Sequence, residues 1–164
     1  MNKKKLFALR TILITFTFAV MAVIFLLSAD NADESNEKSD FIADSFVYRF
    51  LENFDLTDEQ IEIILDKCIG IIRNTAHFLE YAALGFFLYA TGLSFYIRNK
   101  INIPVSFLIG ALYAVSDEIH QYFVPGRSCQ FTDILIDSSG ALCGVLFLFV
   151  IVWLYNRRKS QKAK

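Results

Sequence analysis

Charge of one sign is what this sequence most plainly lacks: 16 Lys and Arg stand against 17 Asp and Glu, a formal net charge of −1. With no basic excess, nothing in the overall balance points to nucleic acid as a partner. Proline is scarce as well, with two in 164 residues, so little interrupts the chain. Three cysteines, Cys68, Cys129 and Cys143, are an odd number without the spacing of a metal site. Cys143 lies in an apolar run and reads as a packed small residue. Cys68 and Cys129 fall outside the apolar runs, where a disulfide between them stays open, because two cysteines alone fix no geometry. No internal repeat is visible.

What is present is apolar. The hydrophobic fraction is 55%, with 17 Phe, and the mean hydropathy is +0.43. That is too apolar for a soluble domain of this size, because the excess gathers in long runs. A membrane span needs about 20 mostly apolar residues, and four segments qualify: 6–29, 76–97, 101–124 and 132–155. The first begins like a signal peptide, MNKKK before an apolar core. Its core is long, however, and Leu27 stands where a small residue should precede a cut after Ala29, so we read it as a retained anchor. Trp153 and Tyr155 suit an interfacial aromatic belt at the end of the fourth. The expected fold is an all-α membrane protein of one domain, 1–164, with four transmembrane helices.

The segregation of charge orients these spans. Lys3, Lys4, Lys5 and Arg10 open the first, Arg98 and Lys100 occupy the link between the second and third, and Arg157, Arg158, Lys159, Lys162 and Lys164 follow the fourth. All fall on one side of a four-span chain, which the positive-inside rule makes the cytoplasm. The other side receives residues 30–73, with 12 acidic residues against 4 basic. The topology expected is N-in and C-in, with a cytoplasmic tail at 156–164 and an extracytoplasmic segment at 30–75. Within that segment NADESNEKSD (31–40) reads as a polar, flexible exit. Thr57 and Gln60 then form a capping box, and Ile61, Ile64, Leu65, Cys68, Ile69 and Ile72 recur at helical spacing. This predicts an amphipathic helix between the first and second spans, lying on the outer surface.

Ionisable groups inside a span cost about 2.5–3.5 kcal/mol each, so each needs a partner, water or a function. At about 1.5 Å rise per residue, His77 and Glu80, Asp117, Glu118 and Gln121, and Asp133 and Asp137 all fall in the same outer layer of the bilayer. Helical facing agrees: Arg73, His77, Glu80, Tyr81 and Leu84 share one stripe, and Asp133, Asp137, Gly140 and Gly144 share another. Gly140-x-x-x-Gly144 lets two helix backbones approach closely. Pro125-Gly126 signals a turn that delivers Arg127 over the mouth of this cluster. There a guanidinium can pair with a carboxylate or hold an anionic ligand bidentately.

Three segments, RNTAHFLEY (73–81), DEIHQYFVPGR (117–127) and DILIDSSG (133–140) with Gly144 beyond, resemble the VanZ family. FLLSA (25–29) is similar to the serine-containing end of that family's first helix. Two positions depart from the pattern: Asn74 stands where a basic residue is usual, and Asp137 where Asn is usual, which adds an acid inside the site. The resemblance implies a multi-pass protein of the bacterial cytoplasmic membrane. It associates the chain, by its namesake, with low-level resistance to teicoplanin, a lipid-tailed glycopeptide, but supplies no established reaction.

The preferred expectation is a membrane enzyme or modifier working at the outer leaflet on a cell-envelope lipid or precursor. Glu118 or Asp117 would serve as general acid or base, with His77, Glu80 and Asp133 assisting, and Arg127, Gln121, Tyr81 and Asp137 would bind substrate. The partners expected are a membrane lipid, an envelope precursor or a lipoglycopeptide. The alternatives are a non-catalytic binder of such ligands and a structural accessory subunit in which His77 and Glu80 merely join helices. No cofactor is expected. A metal held by His77, Glu80 and Glu118 is disfavoured, since the resemblance brings no metal and the cluster has no cysteine. His120 lies well around its helix from Glu118 and reads as an interfacial histidine.

Overall fold

The computed structural model describes residues 2–29, 47–51, 54, 56–127 and 129–162. The polar exit expected at 31–40 and Lys164 of the basic tail lie outside them. Among the described residues the chain is all-helical, as expected. Four long helices carry it: α1 (Lys3–Ser28), α2 (Asp58–Ser94), α3 (Asn99–Gln121) and α4 (Phe131–Lys162), with one short helical turn at Arg49–Leu51.

Local chemistry sets their ends. The Asn2 side chain accepts from the Lys4 amide at 3.2 Å and caps α1. The Thr57–Gln60 capping box forms as the sequence predicts, with both reciprocal hydrogen bonds present at the start of α2. Between α3 and α4, Pro125 and Gly126 occupy the centre of a tight turn closed by the Arg127 amide on the Val124 carbonyl at 3.1 Å. Gly126 has φ 78°, which is why glycine follows proline there.

One expectation is corrected. The amphipathic segment after Thr57 and the second span are a single unbroken helix of 37 residues, about 55 Å long, not a surface helix followed by a separate span. Nothing between Arg73 and His77 breaks helical geometry, since neither proline nor glycine occurs there. α2 therefore exceeds the roughly 30 Å hydrocarbon thickness of a bilayer by several turns. α3 stops at Gln121, three residues short of the expected span end, and α4 continues to Lys162.

Two of the helices, α1 and α4, are long and apolar enough to cross a membrane by length and composition. They point to membrane association. Large apolar side chains cover the outside of all four helices, among them Phe18, Leu26, Leu79, Leu112 and Phe147. Such a continuous apolar exterior is foreign to a water-soluble monomer. Inside, the core is small: Ile24, Tyr81, Leu84, Ala114 and Ala141, with Val20, Met21, Leu88 and Tyr113 against it.

α2 packs most extensively on α4, and small residues allow it. A Cβ at Gly140 would collide with the Phe78 carbonyl, and one at Gly144 with the Ala82 carbonyl. The expected glycine face thus meets α2. Gly85 answers from the other helix, where a Cβ would strike the Ala141 carbonyl. Cys143, off that stripe, is exposed rather than packed inside, and all three cysteines are free.

The opposite end of the bundle is held by polar contacts. Arg10 donates Nε to the Ser94 carbonyl at 3.1 Å and lies 4.3 Å from the Phe95 ring centre. It thereby clamps the α2–α3 turn, in which Tyr96 takes a φ of 60°. Asn102 donates to the Tyr89 carbonyl at 3.0 Å, and the Tyr89 hydroxyl donates to Asn99 at 3.1 Å. Thr17 and Thr91 join α1 to α2 through their hydroxyls at 3.2 Å.

Candidate functional site

The polar groups predicted to meet are brought together where α1 and α3 end and α4 begins. His77 comes from α2, Asp117 from α3 and Asp137 from α4. One donor atom from each lies within 4.8 Å of the other two. The His77 Nδ1 to Asp137 Oδ1 separation is 3.7 Å. Asp137 is 0% exposed, and neither of its oxygens has a hydrogen-bond partner among the described residues.

Asp117 is held differently. Its Oδ2 accepts from Ser28 Oγ at 2.8 Å and from Gln121 Nε2 at 3.3 Å. Gln121 in turn accepts on Oε1 from Arg127 Nη1 at 3.3 Å. The tight turn thus delivers Arg127 to the cluster through the Gln121 amide. The buried Tyr81 side chain lies beside Asp117, and its ring centre is 6.2 Å from that of Tyr113. Tyr113 donates its hydroxyl to the Met21 carbonyl at 2.7 Å, tying α3 to α1.

Glu118 is adjacent in sequence to Asp117 but faces the α3–α4 loop. It is 0% exposed, and its Oε2 accepts from the Gln130 backbone amide at 2.8 Å, which fastens the loop to α3. Asp133 lies at the rim, 3.9 Å from Arg73 and accepting from Thr132 at 3.3 Å. Glu80 is half-buried on the same side of α2, near enough for its charge to act on Asp117 and Asp137. His120 stands apart from the trio, its ring 4.5 Å from that of Phe25.

Every site residue read from the sequence therefore lies in or around one cluster, but their ranks change. The tightest group is His77, Asp117 and Asp137. Glu80, Glu118 and Asp133 form its surround, and Arg127 reaches it through Gln121. Two partners escaped sequence reasoning. Ser28 was signalled only by the resemblance in FLLSA, and its polarity at the end of an apolar run could have marked it. Gln130 acts through its backbone amide, which no side-chain pattern reveals. The surface grooves along Tyr155, Arg158 and Lys159 and along Glu62, Ile63 and Asp66 follow single helices away from this cluster.

Such an arrangement can share or move a proton between a histidine and two carboxylates, or hold a cation between them. Comparison with curated proteins and with solved structures found no match. A family model described as VanZ/LLP1 matches residues 13–153, a stretch that takes in Ser28, the trio and Arg127. The chain belongs to the VanZ/LLP1 family.

Proposed function

We propose that this chain is a four-span protein of the bacterial cytoplasmic membrane, N-in and C-in, whose polar cluster acts on a cell-envelope lipid or precursor at the outer leaflet. The observation that carries the reading is the convergence of His77, Asp117 and Asp137 from three helices at one end of the bundle. The lysines and arginines of α1, of the α2–α3 link and of the α4 tail belong to the opposite end, which supports the orientation. Asp117, oriented by Ser28 and Gln121, and Asp137 with His77 are the acid–base groups. Arg127, coupled to Gln121, is the group that meets an anionic headgroup. Glu118 keeps the loop that carries Arg127 in place.

A non-catalytic reading has its own support in the chain Ser28–Asp117–Gln121–Arg127, which joins α1, α3 and the loop as a structural network would. In that reading the protein binds a lipophilic ligand, a lipoglycopeptide such as teicoplanin included, without altering it. One experiment separates the two. Lipids and envelope precursors are compared by mass spectrometry in cells carrying the wild type, a deletion, Asp117→Asn or Asp137→Asn, at matched expression. The enzymatic reading expects a species that appears or vanishes in the deletion and in the carboxylate variants alike. Identical profiles in all four strains, with teicoplanin susceptibility changed only by the deletion, would leave the binder.

A further inference from the structure

We propose that His77, Asp117 and Asp137 bind one first-row divalent transition-metal ion, in the manner of a mixed imidazole–carboxylate site. The inference goes beyond the envelope reading and does not depend on it, because ion binding can be measured on the isolated protein; with the ion bound, these three side chains serve as its ligands and not as free acid–base groups.

Three independent features of the cluster carry it. The first is donor geometry. One nitrogen and two carboxylate oxygens, from three different helices, lie within 4.8 Å of one another. Ligands bonded to a single ion at 2.0–2.2 Å stand at most about 4.4 Å apart. The His77–Asp137 pair, at 3.7 Å, is already inside that bound, and the remaining pairs, all within 4.8 Å, exceed it by at most about 0.4 Å.

The second feature is Asp137 itself. It is 0% exposed, aimed into the cluster, and none of the described residues donates a hydrogen bond to either oxygen. A buried carboxylate without donors is among the costliest groups a protein can hold. His77 approaches it at ion-pair distance rather than hydrogen-bond distance. A cation between the two satisfies both at once. Asp117 has the complementary preparation: Ser28 and Gln121 both donate to its Oδ2 and orient the carboxylate, as the partners of metal-binding carboxylates do.

The third feature is charge. The charged groups near enough to act on the trio are Arg73 and Glu80 from α2, Glu118 from α3, Arg127 from the loop and Asp133 from α4. With Asp117 and Asp137 that makes five carboxylates against two guanidinium groups. Arg73 is paired with Asp133 and Arg127 is bonded to Gln121. Fully ionised, this set carries an excess of negative charge, and a divalent ion would neutralise the two carboxylates of the trio. The nitrogen donor disfavours Ca²⁺ and Mg²⁺, which take oxygen ligands, and favours Zn²⁺ or Co²⁺, while the two carboxylates also admit Mn²⁺.

The test uses the full chain purified in detergent micelles, stripped with a chelator and titrated with Co²⁺, with Zn²⁺ as competitor. The wild type is expected to bind one Co²⁺ per chain with the visible absorption of a coordinated ion, displaced by Zn²⁺. His77→Gln and Asp137→Asn should each weaken binding at least tenfold, and Ser28→Ala about tenfold or more by releasing Asp117. His120→Gln should bind as the wild type does. Since the chain has only two histidines, pulsed EPR of Mn²⁺-loaded His120→Gln reads one imidazole alone. A nitrogen coupling there assigns His77 as a ligand without any substitution in the trio. No stoichiometric ion on the wild type, unchanged affinity in correctly folded His77→Gln and Asp137→Asn, or no nitrogen coupling would each overturn the proposal.

Discussion

Ser28 Oγ donates to Asp117 Oδ2 across 2.8 Å, joining the last residue of α1 to the C-terminal part of α3 with both side chains almost fully buried. α1 makes little packing contact with α3. The two are linked instead by this bond, by Tyr113 on the Met21 carbonyl and by the Phe25–His120 ring contact. A few polar bonds therefore seat the first helix against the site, where an apolar seam would leave it free to slide.

Removing that hydroxyl has a calculable cost. Ser28→Ala takes one of two donors from a buried carboxylate oxygen and should lower stability by about 1–3 kcal/mol. In the Asp117→Asn background the same change should cost markedly less, because the oxygen no longer bears a charge. Thermal unfolding of the four proteins in detergent gives the coupling. A Ser28→Ala effect that is the same in both backgrounds would show that the two side chains do not act on each other.

Glycines on α2 and α4 should divide cleanly into two kinds. A Cβ at Gly144 runs into the backbone carbonyl of Ala82, which cannot step aside, whereas a Cβ at Gly70 meets nothing within 4 Å. Gly144→Ala should therefore destabilise the bundle by about 1–3 kcal/mol through forced separation of α2 and α4. Gly70→Ala should stabilise α2 by about 0.5–1 kcal/mol, since alanine is the better helix former. Melting temperatures moving in the same direction for both would contradict the packing described.

Cys129 offers a reading of orientation and of the loop together. It is exposed in the α3–α4 loop, yet local desolvation of its thiol, and then the negative charge of Glu118, push its pKa above the ordinary range. The thiolate is the reactive form. In a Cys68→Ser, Cys143→Ser background, a membrane-impermeant maleimide added to intact cells should label Cys129 with a rate that climbs with pH. Its midpoint should lie above the roughly 8.5 of a free thiol. Glu118→Gln should bring that midpoint down. With Cys129→Ser added to that background, Lys159→Cys in the α4 tail should be labelled only after the membrane is opened. Labelling of Cys129 that needs lysis would reverse the orientation proposed.

Much of the site was legible because helical periodicity is a strict rule. Residues three and four apart share a face, so His77 with Glu80 and Tyr81, and Asp137 with Gly140 and Gly144, could be grouped from spacing alone. The capping box and the Pro125-Gly126 turn were equally local, and both formed. That the amphipathic segment and the second span are one helix, hydropathy does not show. Hydropathy reports where the solvent changes, and the backbone hydrogen bonds of a helix do not end there. Hydropathy separated α1 and α4 well, but α2 and α3 carry Glu80, Lys100, Asn102, Asp117 and Glu118, whose polarity dilutes the signal that burial between helices makes tolerable.

By itself the sequence determined that this protein is helical, apolar outside, and furnished with ionisable groups at one level of three helices. Those outcomes follow from propensity, period and composition, which act within a few turns of chain. Only the tertiary structure decided how those groups divide their work: Asp117 turned to Ser28 and Gln121, Glu118 turned to the Gln130 amide, Asp137 left facing His77. Asp117 and Glu118 are neighbours in the chain, about 100° apart around α3. That angle sends one into the bundle against α1 and the other into the loop, and no pattern along the chain records which helix waits on either side.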